Sequence, residues 1–246
     1  MGLWQKFKDF LLDKSGQKTL LEGLNKQNRI ATENVAAITF TNVIRNSNWL
    51  VQKEFYPGRW AVEYSFLLSL FRILDHHMFS NMIEFGLGQS SRVIHQYAHF
   101  FNIPALTIEH DAEWVDFTIK DIHNAYPLHI KLLPLEMIKY KGFSTRTYKG
   151  IENILKNQKY DFILVDGPFG SEHYSRTQLI SLVENSLANT FCIMLDDSSR
   201  LGEQETIAEV EATLKRKRIN YVINAYQGLC DYTVICSDNL KFFTSL

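Results

Sequence analysis

The sequence predicts a doubly wound α/β fold, with a mostly parallel seven-stranded sheet, helices on both faces and an antiparallel terminal hairpin. From residue 83 onward, short apolar runs alternate with helical patterns, which is typical of a parallel sheet with crossover helices. The last two apolar runs are separated only by Gln227 to Cys230. Four residues are too few for a parallel crossover, so these runs form an antiparallel hairpin.

The predicted elements follow one another without an internal repeat. Strands are expected at about 82–86, 105–110, 129–134, 161–166, 191–196, 220–226 and 231–237. Helices are expected at about 90–101, 112–124, 151–158, 174–188 and 203–217. Residues 1–55 are predicted to form a helical N-terminal extension, and residues 56–246 a single Rossmann-like domain.

Composition excludes several classes of partner. Lys and Arg total 26 against 27 Asp and Glu, so a net charge of −1 offers no field for binding nucleic acid. No apolar run is long enough for a transmembrane segment. The three cysteines, Cys192, Cys230 and Cys236, fit neither a disulfide framework nor a zinc pattern, and indicate thiols in a reducing, cytoplasmic setting.

The segment MIEFGLGQSSRVI, residues 82–94, reads as a strand, a glycine turn and the start of a helix. Such a turn lets the backbone approach a ligand and points the first N–H groups of the helix outward. The candidate ligand-binding residues here are Glu84, Gly86, Gly88, Gln89 and Ser90. A dinucleotide fingerprint has a third glycine where this chain has a serine, and an apolar residue where it has Glu84. A turn that merely links strand to helix is the alternative.

A second acidic position follows the next strand. Glu109 follows the apolar residues of ALTIEH, residues 105–110, about 20 residues after the glycine turn, where a carboxylate can bind both hydroxyls of a ribose. Asp111 and Glu113 are alternatives, but only Glu109 directly follows the buried run.

Three more carboxylates follow two later strands. Asp166 follows FILV, and Asp196 and Asp197 follow FCIML, so all three are expected at the carboxyl edge of the sheet. Carboxylates this close repel one another unless they are protonated, hydrogen-bonded or bridged by a cation. Asp196 and Asp197 could instead cap the next helix. His173, shortly after Asp166, is a candidate base.

From about residue 60 to its end, the chain resembles the class I S-adenosylmethionine-dependent methyltransferases. The likeness lies in EFGLG and in a terminal hairpin after parallel strands. It implies S-adenosylmethionine at Glu84, Gly86, Gly88, Gln89, Ser90, Glu109 and Asp166, with Asp166 also catalytic, and a lid containing Tyr56, Arg59 and Trp60.

The acidic residues also resemble those of divalent-metal O-methyltransferases, which have Asp-Asn where this chain has Asp196-Asp197. That resemblance implies Mg²⁺ or another divalent cation at Asp166, Asp196 and Asp197, with His173 as the base if no metal binds. The run VDGPFG resembles methyltransferases that act on glucuronic acid in glycans. The expected activity is therefore O-methylation of a hydroxyl or carboxyl group on a small molecule or sugar.

Two other functions stay open at this point. The fold also hosts inactive members that serve as binding or assembly modules. An NAD(P)-dependent oxidoreductase is disfavoured by Glu84, by Ser91 and by the terminal hairpin. A homo-oligomer is compatible with the helical pattern of residues 1–50.

Overall fold

The computed structural model describes residues 16–57, 61–121 and 126–245, together with residues 4, 8, 10, 11 and 13. The helices of eight or more residues are α1 (Gln17–Ile44), α2 (Tyr64–His76), α3 (Gln89–Phe101), α4 (Ala112–Asp121), α6 (Gln178–Asn185) and α7 (Leu201–Arg216). A shorter helix, α5, spans Ile151–Leu155, and 3₁₀ turns span Asp238–Ser245. The strands are β1 (Met82–Phe85), β2 (Ala105–Glu109), β3 (Ile130–Leu132), β4 (Leu135–Tyr140), β5 (Phe143–Tyr148), β6 (Tyr160–Val165), β7 (Leu187–Leu195), β8 (Tyr221–Gln227) and β9 (Asp231–Ser237).

Seven of these strands form one sheet in the order β3-β2-β1-β6-β7-β9-β8. All neighbouring pairs are parallel up to β7, whereas β9 runs antiparallel to both β7 and β8. This arrangement confirms the predicted Rossmann-like methyltransferase fold, including the terminal hairpin. The chain leaves β1 toward β2 on one side and later returns to β6 on the other, which makes the gap between β1 and β6 a topological switch point.

The parallel register aligns the residues that follow the central strands. Phe85 of β1 pairs with Ile108 on one side and with Val165 on the other, and Val165 pairs with Leu195. The residues next along the chain are therefore brought to one level at the carboxyl edge of the sheet, namely Gly86, Glu109, Asp166 and Asp196.

The sheet has a hydrophobic core on each face because successive side chains of a strand point to opposite sides. Met82 and Phe162 belong to the core covered by α1, α2 and α3. Ile83 and Ile163 belong to the other core, which α5, α6 and α7 cover. Helices thus cover both faces of the sheet, so a ligand can approach it only at the edges.

Helix α1 packs on the rest of the chain through one face. Phe40 and Ile44 are buried in the first core, and the Arg29 Nη1 atom lies 2.9 Å from Asp231 Oδ1. The opposite side carries exposed apolar side chains, including Leu21, Leu24, Val35 and Ile38, and Trp4, Phe10 and Leu11 upstream are exposed as well. The predicted boundary between the N-terminal extension and the Rossmann-like domain at residue 55, and the predicted homo-oligomer, remain predictions.

Strand β7 begins at Leu187, within the predicted helix 174–188, and helix α5 ends at Leu155 rather than near residue 158. Two further local features differ from the sequence expectation. The antiparallel pair β4–β5 forms a separate two-stranded sheet that was not predicted, and its two-residue turn, Lys141-Gly142, has positive φ angles at both positions. Helix α6 begins at Gln178 rather than near residue 174, because Tyr174 and Arg176 have φ angles of 47° and 61° and cannot be helical.

None of the described helices is both long enough and apolar enough to cross a membrane. Cys192, Cys230 and Cys236 are free thiols, and the first and last of these are buried opposite each other in β7 and β9.

Candidate active site

A cavity of about 500 Å³ opens at the switch point of the sheet. It lies at the carboxyl ends of β1, β2, β6 and β7, where open α/β sheets bind ligands. Among the described residues its lining comprises Ala61, Glu63, Gly86, Leu87, Glu109, His110, Asp111, Trp114, Tyr148, Asp166, Gly167, Pro168, Phe169, Gly170, Arg176, Asp196, Asp197, Arg200 and Cys230.

The glycine turn after β1 is held against the loop after β6. Gly86 has a φ angle of +96°, and a Cβ atom there would lie 3.0 Å from the backbone nitrogen of Gly167. Gly167 is equally confined, since its own Cβ would lie 2.6 Å from the Tyr148 hydroxyl oxygen. Gly88 differs, because its φ angle of −169° is ordinary extended backbone and nothing lies within 4 Å of an added Cβ. Of Gly86 and Gly88, only Gly86 is therefore required by the fold itself.

The Glu109 carboxylate ties the ends of β1 and β2 together. Its Oε2 atom accepts a hydrogen bond from the Leu87 N–H at 2.9 Å. Its Oε1 atom accepts hydrogen bonds from the N–H groups of His110 and Asp111, at 2.5 and 3.0 Å. One lone pair of Oε2 thus stays open for a ligand at the cavity wall. Asp111 also lines the cavity, and the two acids remain alternatives for a ribose contact.

Trp114 also holds the glycine turn after β1. Its indole N–H donates a hydrogen bond of 2.7 Å to the Leu87 carbonyl oxygen, and its backbone N–H is capped by Asp111 Oδ1 at 3.1 Å. The wall formed by Leu87, Glu109, Asp111 and Trp114 is consequently in place before any ligand arrives.

Glu84, Gln89 and Ser90 were expected at the cofactor, but Glu84 and Ser90 are buried in the interior and Gln89 contacts the Tyr56 backbone. Glu84 is fully buried, and its two carboxylate oxygens accept hydrogen bonds from the hydroxyls of Ser90 at 2.6 Å and Thr107 at 2.7 Å. Burial raises the pKa of Glu84 to about 7. The Gln89 side-chain oxygen accepts a hydrogen bond from the Tyr56 N–H at 3.2 Å. Neither these residues nor Gly88 are in the cavity lining, so their positions lend no support to direct cofactor contacts.

The predicted acidic cluster is assembled by the fold. Asp166, Asp196 and Asp197 each offer a carboxylate oxygen, and these three oxygens lie within 4.8 Å of one another. All three side chains line the cavity. Asp196 is only 6% exposed, and its Oδ1 atom has no hydrogen-bond partner among the described residues.

A buried cation, Arg176, lies within this cluster. Its guanidinium is 2% exposed, and the Nη2 atom lies 2.9 Å from Asp197 Oδ2 and 3.6 Å from Asp166 Oδ1. Its Nε atom lies 3.6 Å from Glu203 Oε1, a fully buried carboxylate of α7. The more exposed Arg200 adds a second contact to Asp197 Oδ2, at 2.7 Å. Two arginines of the chain therefore face these acids and offset part of their mutual repulsion.

The remaining charge still perturbs the acids. Burial, followed by the neighbouring Asp196, raises the pKa of Asp166 well above its usual range. Burial, followed by Asp197, raises the pKa of Asp196 to about 6. Burial alone would lower the pKa of Arg176, but the surrounding carboxylates outweigh it and raise that pKa. Arg176 therefore stays protonated, Asp196 exchanges its proton near pH 6, and Asp166 holds a proton more strongly than an ordinary carboxyl group does.

The structure does not bring His173 to the cavity lining. Its Nδ1 atom lies 2.9 Å from Glu205 Oε1, and its ring stacks on Phe143 with the ring centroids 4.0 Å apart. Of the expected lid, Tyr56 is exposed, while Arg59 and Trp60 lie outside the described residues.

Several lining residues were not singled out in the sequence. Tyr148 comes from the unpredicted β4–β5 hairpin, and Glu63 and Cys230 come from loops far apart in the chain. Only Trp114 and Phe169 carried a local signal, as aromatic residues within a few positions of an acidic strand end.

Neither a family model nor a curated protein sequence matches this chain. Solved structures with a similar fold include the methyltransferase PaMTH1 of Podospora anserina with S-adenosylhomocysteine bound (TM-score 0.49, 12% identity, 82% of this chain and 88% of that one). A second is precorrin-6y C5,15-methyltransferase of Geobacter metallireducens (TM-score 0.48, 13% identity, 76% and 96%). A third is the O-methyltransferase TomG of Streptomyces achromogenes, involved in tomaymycin synthesis, in complex with S-adenosylmethionine (TM-score 0.44, 12% identity, 68% and 77%).

All three are methyltransferases, as the resemblance in the sequence leads one to expect. Because every TM-score is below 0.5 and the identities are 12–13%, these likenesses carry no argument about activity or substrate. The fold class follows from the strand order of this chain.

Proposed function

We propose that this chain is an S-adenosylmethionine-dependent methyltransferase that transfers the methyl group to an oxygen of a small-molecule or sugar acceptor. The observation that carries the proposal is the cavity at the switch point, where the Gly86 turn is pressed against the loop after Asp166. Donor and acceptor would both reach this cavity from the carboxyl edge of the sheet.

S-adenosylmethionine, when bound, supplies a methyl carbon already activated by a sulfonium. The residues of this chain would then align the acceptor. The turn at Gly86 and Leu87 offers backbone groups, and Glu109 or Asp111 offers a carboxylate for the ribose hydroxyls. On the other wall, Asp196 Oδ1 is a buried acceptor without a partner among the described residues, and an acceptor hydroxyl would satisfy it.

Asp166 is our candidate for the general base. It lines the cavity beside Asp196, and burial raises its pKa, which makes its ionised carboxylate a stronger base than an ordinary aspartate. S-adenosylmethionine would supply the methyl group and leave as S-adenosylhomocysteine, and the Asp166 carboxylate would take the proton of the acceptor hydroxyl. Because His173 lies with Glu205, we do not assign it to this step.

A thermal-shift series with S-adenosylmethionine, S-adenosylhomocysteine, NAD and NADP tests the proposal. S-adenosylhomocysteine at ~100 times its Kd should add ~2.7 kcal/mol of stability, or roughly 5 to 10 °C for a chain of this size. ATP serves as the control for any nucleotide effect. No shift at millimolar S-adenosylhomocysteine would contradict the proposal and favour an inactive binding module, while a shift with NAD alone would favour an oxidoreductase.

A further inference from the structure

The acidic cluster of Asp166, Asp196 and Asp197 contains a cation supplied by the chain itself, Arg176. Arg176 is almost completely buried and faces carboxylates from three elements: Asp166 after β6, Asp197 after β7, and Glu203 in α7. Its Nη1 atom also donates hydrogen bonds to the backbone carbonyl oxygens of Val165 at 3.2 Å and Asp196 at 2.7 Å. The guanidinium thus joins the ends of two adjacent strands and places a positive charge among the acids that follow them.

The backbone supports this position of Arg176. Its φ angle of 61° is uncommon for any residue other than glycine, and it is maintained only where the surroundings enforce it. The preceding Ser175 is fixed too, because its N–H donates to the Gly202 carbonyl oxygen at 3.0 Å. Its own carbonyl oxygen accepts a hydrogen bond from the Thr206 hydroxyl. The loop is therefore shaped to aim the arginine between the strand ends.

A divalent ion fits this cluster poorly. Carboxylate oxygens are the donors that Mg²⁺ prefers, but the ion needs them at ~2.0–2.1 Å in a near-octahedral arrangement. Asp197 Oδ2 is already shared by Arg176 and Arg200, and the Arg176 Nη2 atom is 3.6 Å from Asp166 Oδ1. An ion bound to all three aspartates would lie next to a buried guanidinium of like charge, which cannot be deprotonated.

We propose that Arg176 takes the place of a divalent metal ion in this site, so that the cofactor and acceptor are bound and the methyl group transferred without one. The inference rests on the proposed function, since the cluster lines the cavity assigned to the methyl donor. Arg176 acts as a positioning residue: it holds Asp166 and Asp196 at fixed strand ends and supplies the positive charge there. Its planar guanidinium, which donates in several directions at once, suits this role better than a lysine ammonium.

Calorimetric titration of the wild-type chain with Mn²⁺ and with Mg²⁺, in the presence and absence of S-adenosylhomocysteine, gives the first test. We expect no binding up to millimolar metal. Binding with a micromolar Kd that is lost in Asp196→Asn would overturn the proposal. This measurement does not depend on activity. If S-adenosylhomocysteine fails to bind, the proposed function fails while the metal result still stands.

Replacement of the arginine gives the second test. Arg176→Gln removes the charge from the buried cluster, and we expect Mn²⁺ to raise the melting temperature of this variant by several degrees, with no such effect on the wild type. Arg200→Gln is the matched control, because Arg200 contacts the same Asp197 oxygen but is 56% exposed, and Mn²⁺ should leave its melting temperature unchanged. If Arg176→Gln is as stable as the wild type and gains no metal affinity, Arg176 is not the required cation and the proposal is overturned.

Arg176→Lys keeps the charge without the planar fork and covers the case in which Arg176→Gln does not fold. We expect Arg176→Lys to fold, to remain insensitive to Mn²⁺, and to bind S-adenosylhomocysteine at least several-fold more weakly because the strand ends are held less firmly. A lysine variant that gains a micromolar Mn²⁺ site would contradict the proposal, since a cation would then already be present.

Discussion

The two walls of the cavity hold their acids by different means. On the β1–β2 side, Glu109 accepts hydrogen bonds from three backbone N–H groups, and Glu84, which is buried outside the cavity lining, accepts them from two hydroxyls. On the β6–β7 side, Asp166 and Asp197 face the guanidinium of Arg176. Carboxylates are thus stabilised by N–H and O–H dipoles on one side and by a full positive charge on the other.

The two walls therefore differ in which of their contacts shape the fold and which are available to a ligand. The β1–β2 wall is closed by short, local hydrogen bonds that shape the glycine turn before a ligand binds. The β6–β7 wall depends on a cation supplied from a distant loop, and it leaves one buried oxygen, Asp196 Oδ1, without a partner among the described residues. Recognition of the acceptor is therefore expected on the charged wall and recognition of the methyl donor on the wall of dipoles.

The largest expected effect is the pH dependence that Glu84 imposes on stability. Its pKa rises from 4.5 to about 7 in the folded chain, where it is fully buried. Between these values the unfolded chain loses the proton while the folded chain keeps it. The free energy of unfolding therefore falls as the pH rises, by ~1.4 kcal/mol per pH unit and about 3 kcal/mol in total. Glu84→Gln should abolish this part of the loss.

Urea unfolding at pH 4.5 and pH 8 tests this prediction. The difference in the free energy of unfolding between the two pH values is compared for the wild type and Glu84→Gln. Any cost of placing an amide at this position cancels, since that cost does not depend on pH. Glu113→Gln, an exposed acid of α4, is the control and should behave as the wild type. A Glu84→Gln variant with the wild-type pH difference would show that the hydrogen bonds from Ser90 and Thr107 offset the effect of burial and leave the pKa of Glu84 at its ordinary value.

The glycine turn gives the next effect in size. Gly86→Ala must place a Cβ 3.0 Å from the Gly167 nitrogen at a φ angle of +96°, and we expect a loss of about 2 kcal/mol of stability. Gly88→Ala is the matched control, because its extended backbone and open surroundings accept a side chain, so its stability should change by less than ~0.5 kcal/mol. Equal losses in the two variants would mean that the contact between the turn and the loop after β6 does not hold in solution.

The sequence predicted the sheet, its terminal hairpin and the row of strand-end residues, because alternating apolar runs and short connections are local signals. It also placed Asp166, Asp196 and Asp197 together, since parallel strands bring their carboxyl ends to one edge. The β4–β5 hairpin was missed although Lys141-Gly142 is a two-residue turn suited to positive φ angles.

The partners of the strand-end acids could not be predicted in the same way. Arg176 reaches Glu203 and Asp197 across loops, and Glu84 turns toward Ser90 and Thr107, because side-chain direction depends on packing between elements that are distant in sequence. A strand-end carboxylate therefore predicts a place in the fold, but not whether it faces a ligand, a hydroxyl or a guanidinium.

The ribose contact on the β1–β2 wall is expected to affect ligand binding rather than the stability of the fold. A charge-assisted hydrogen-bond pair contributes ~1.5 to 3 kcal/mol, so Glu109→Ala should weaken S-adenosylhomocysteine binding roughly tenfold or more. Part of that loss would come from the Leu87 N–H, which Glu109 holds at 2.9 Å. Glu109→Gln keeps an oxygen that can accept the Leu87 N–H but lacks the charge. A tenfold loss of S-adenosylhomocysteine affinity in this variant would therefore be due to the lost contact with the ligand and not to a disturbed turn. Asp111→Asn is the competing variant, and calorimetric titration of all three decides between them. If Asp111→Asn weakens binding tenfold while Glu109→Gln does not, the ribose lies against the start of α4, two residues beyond the end of β2.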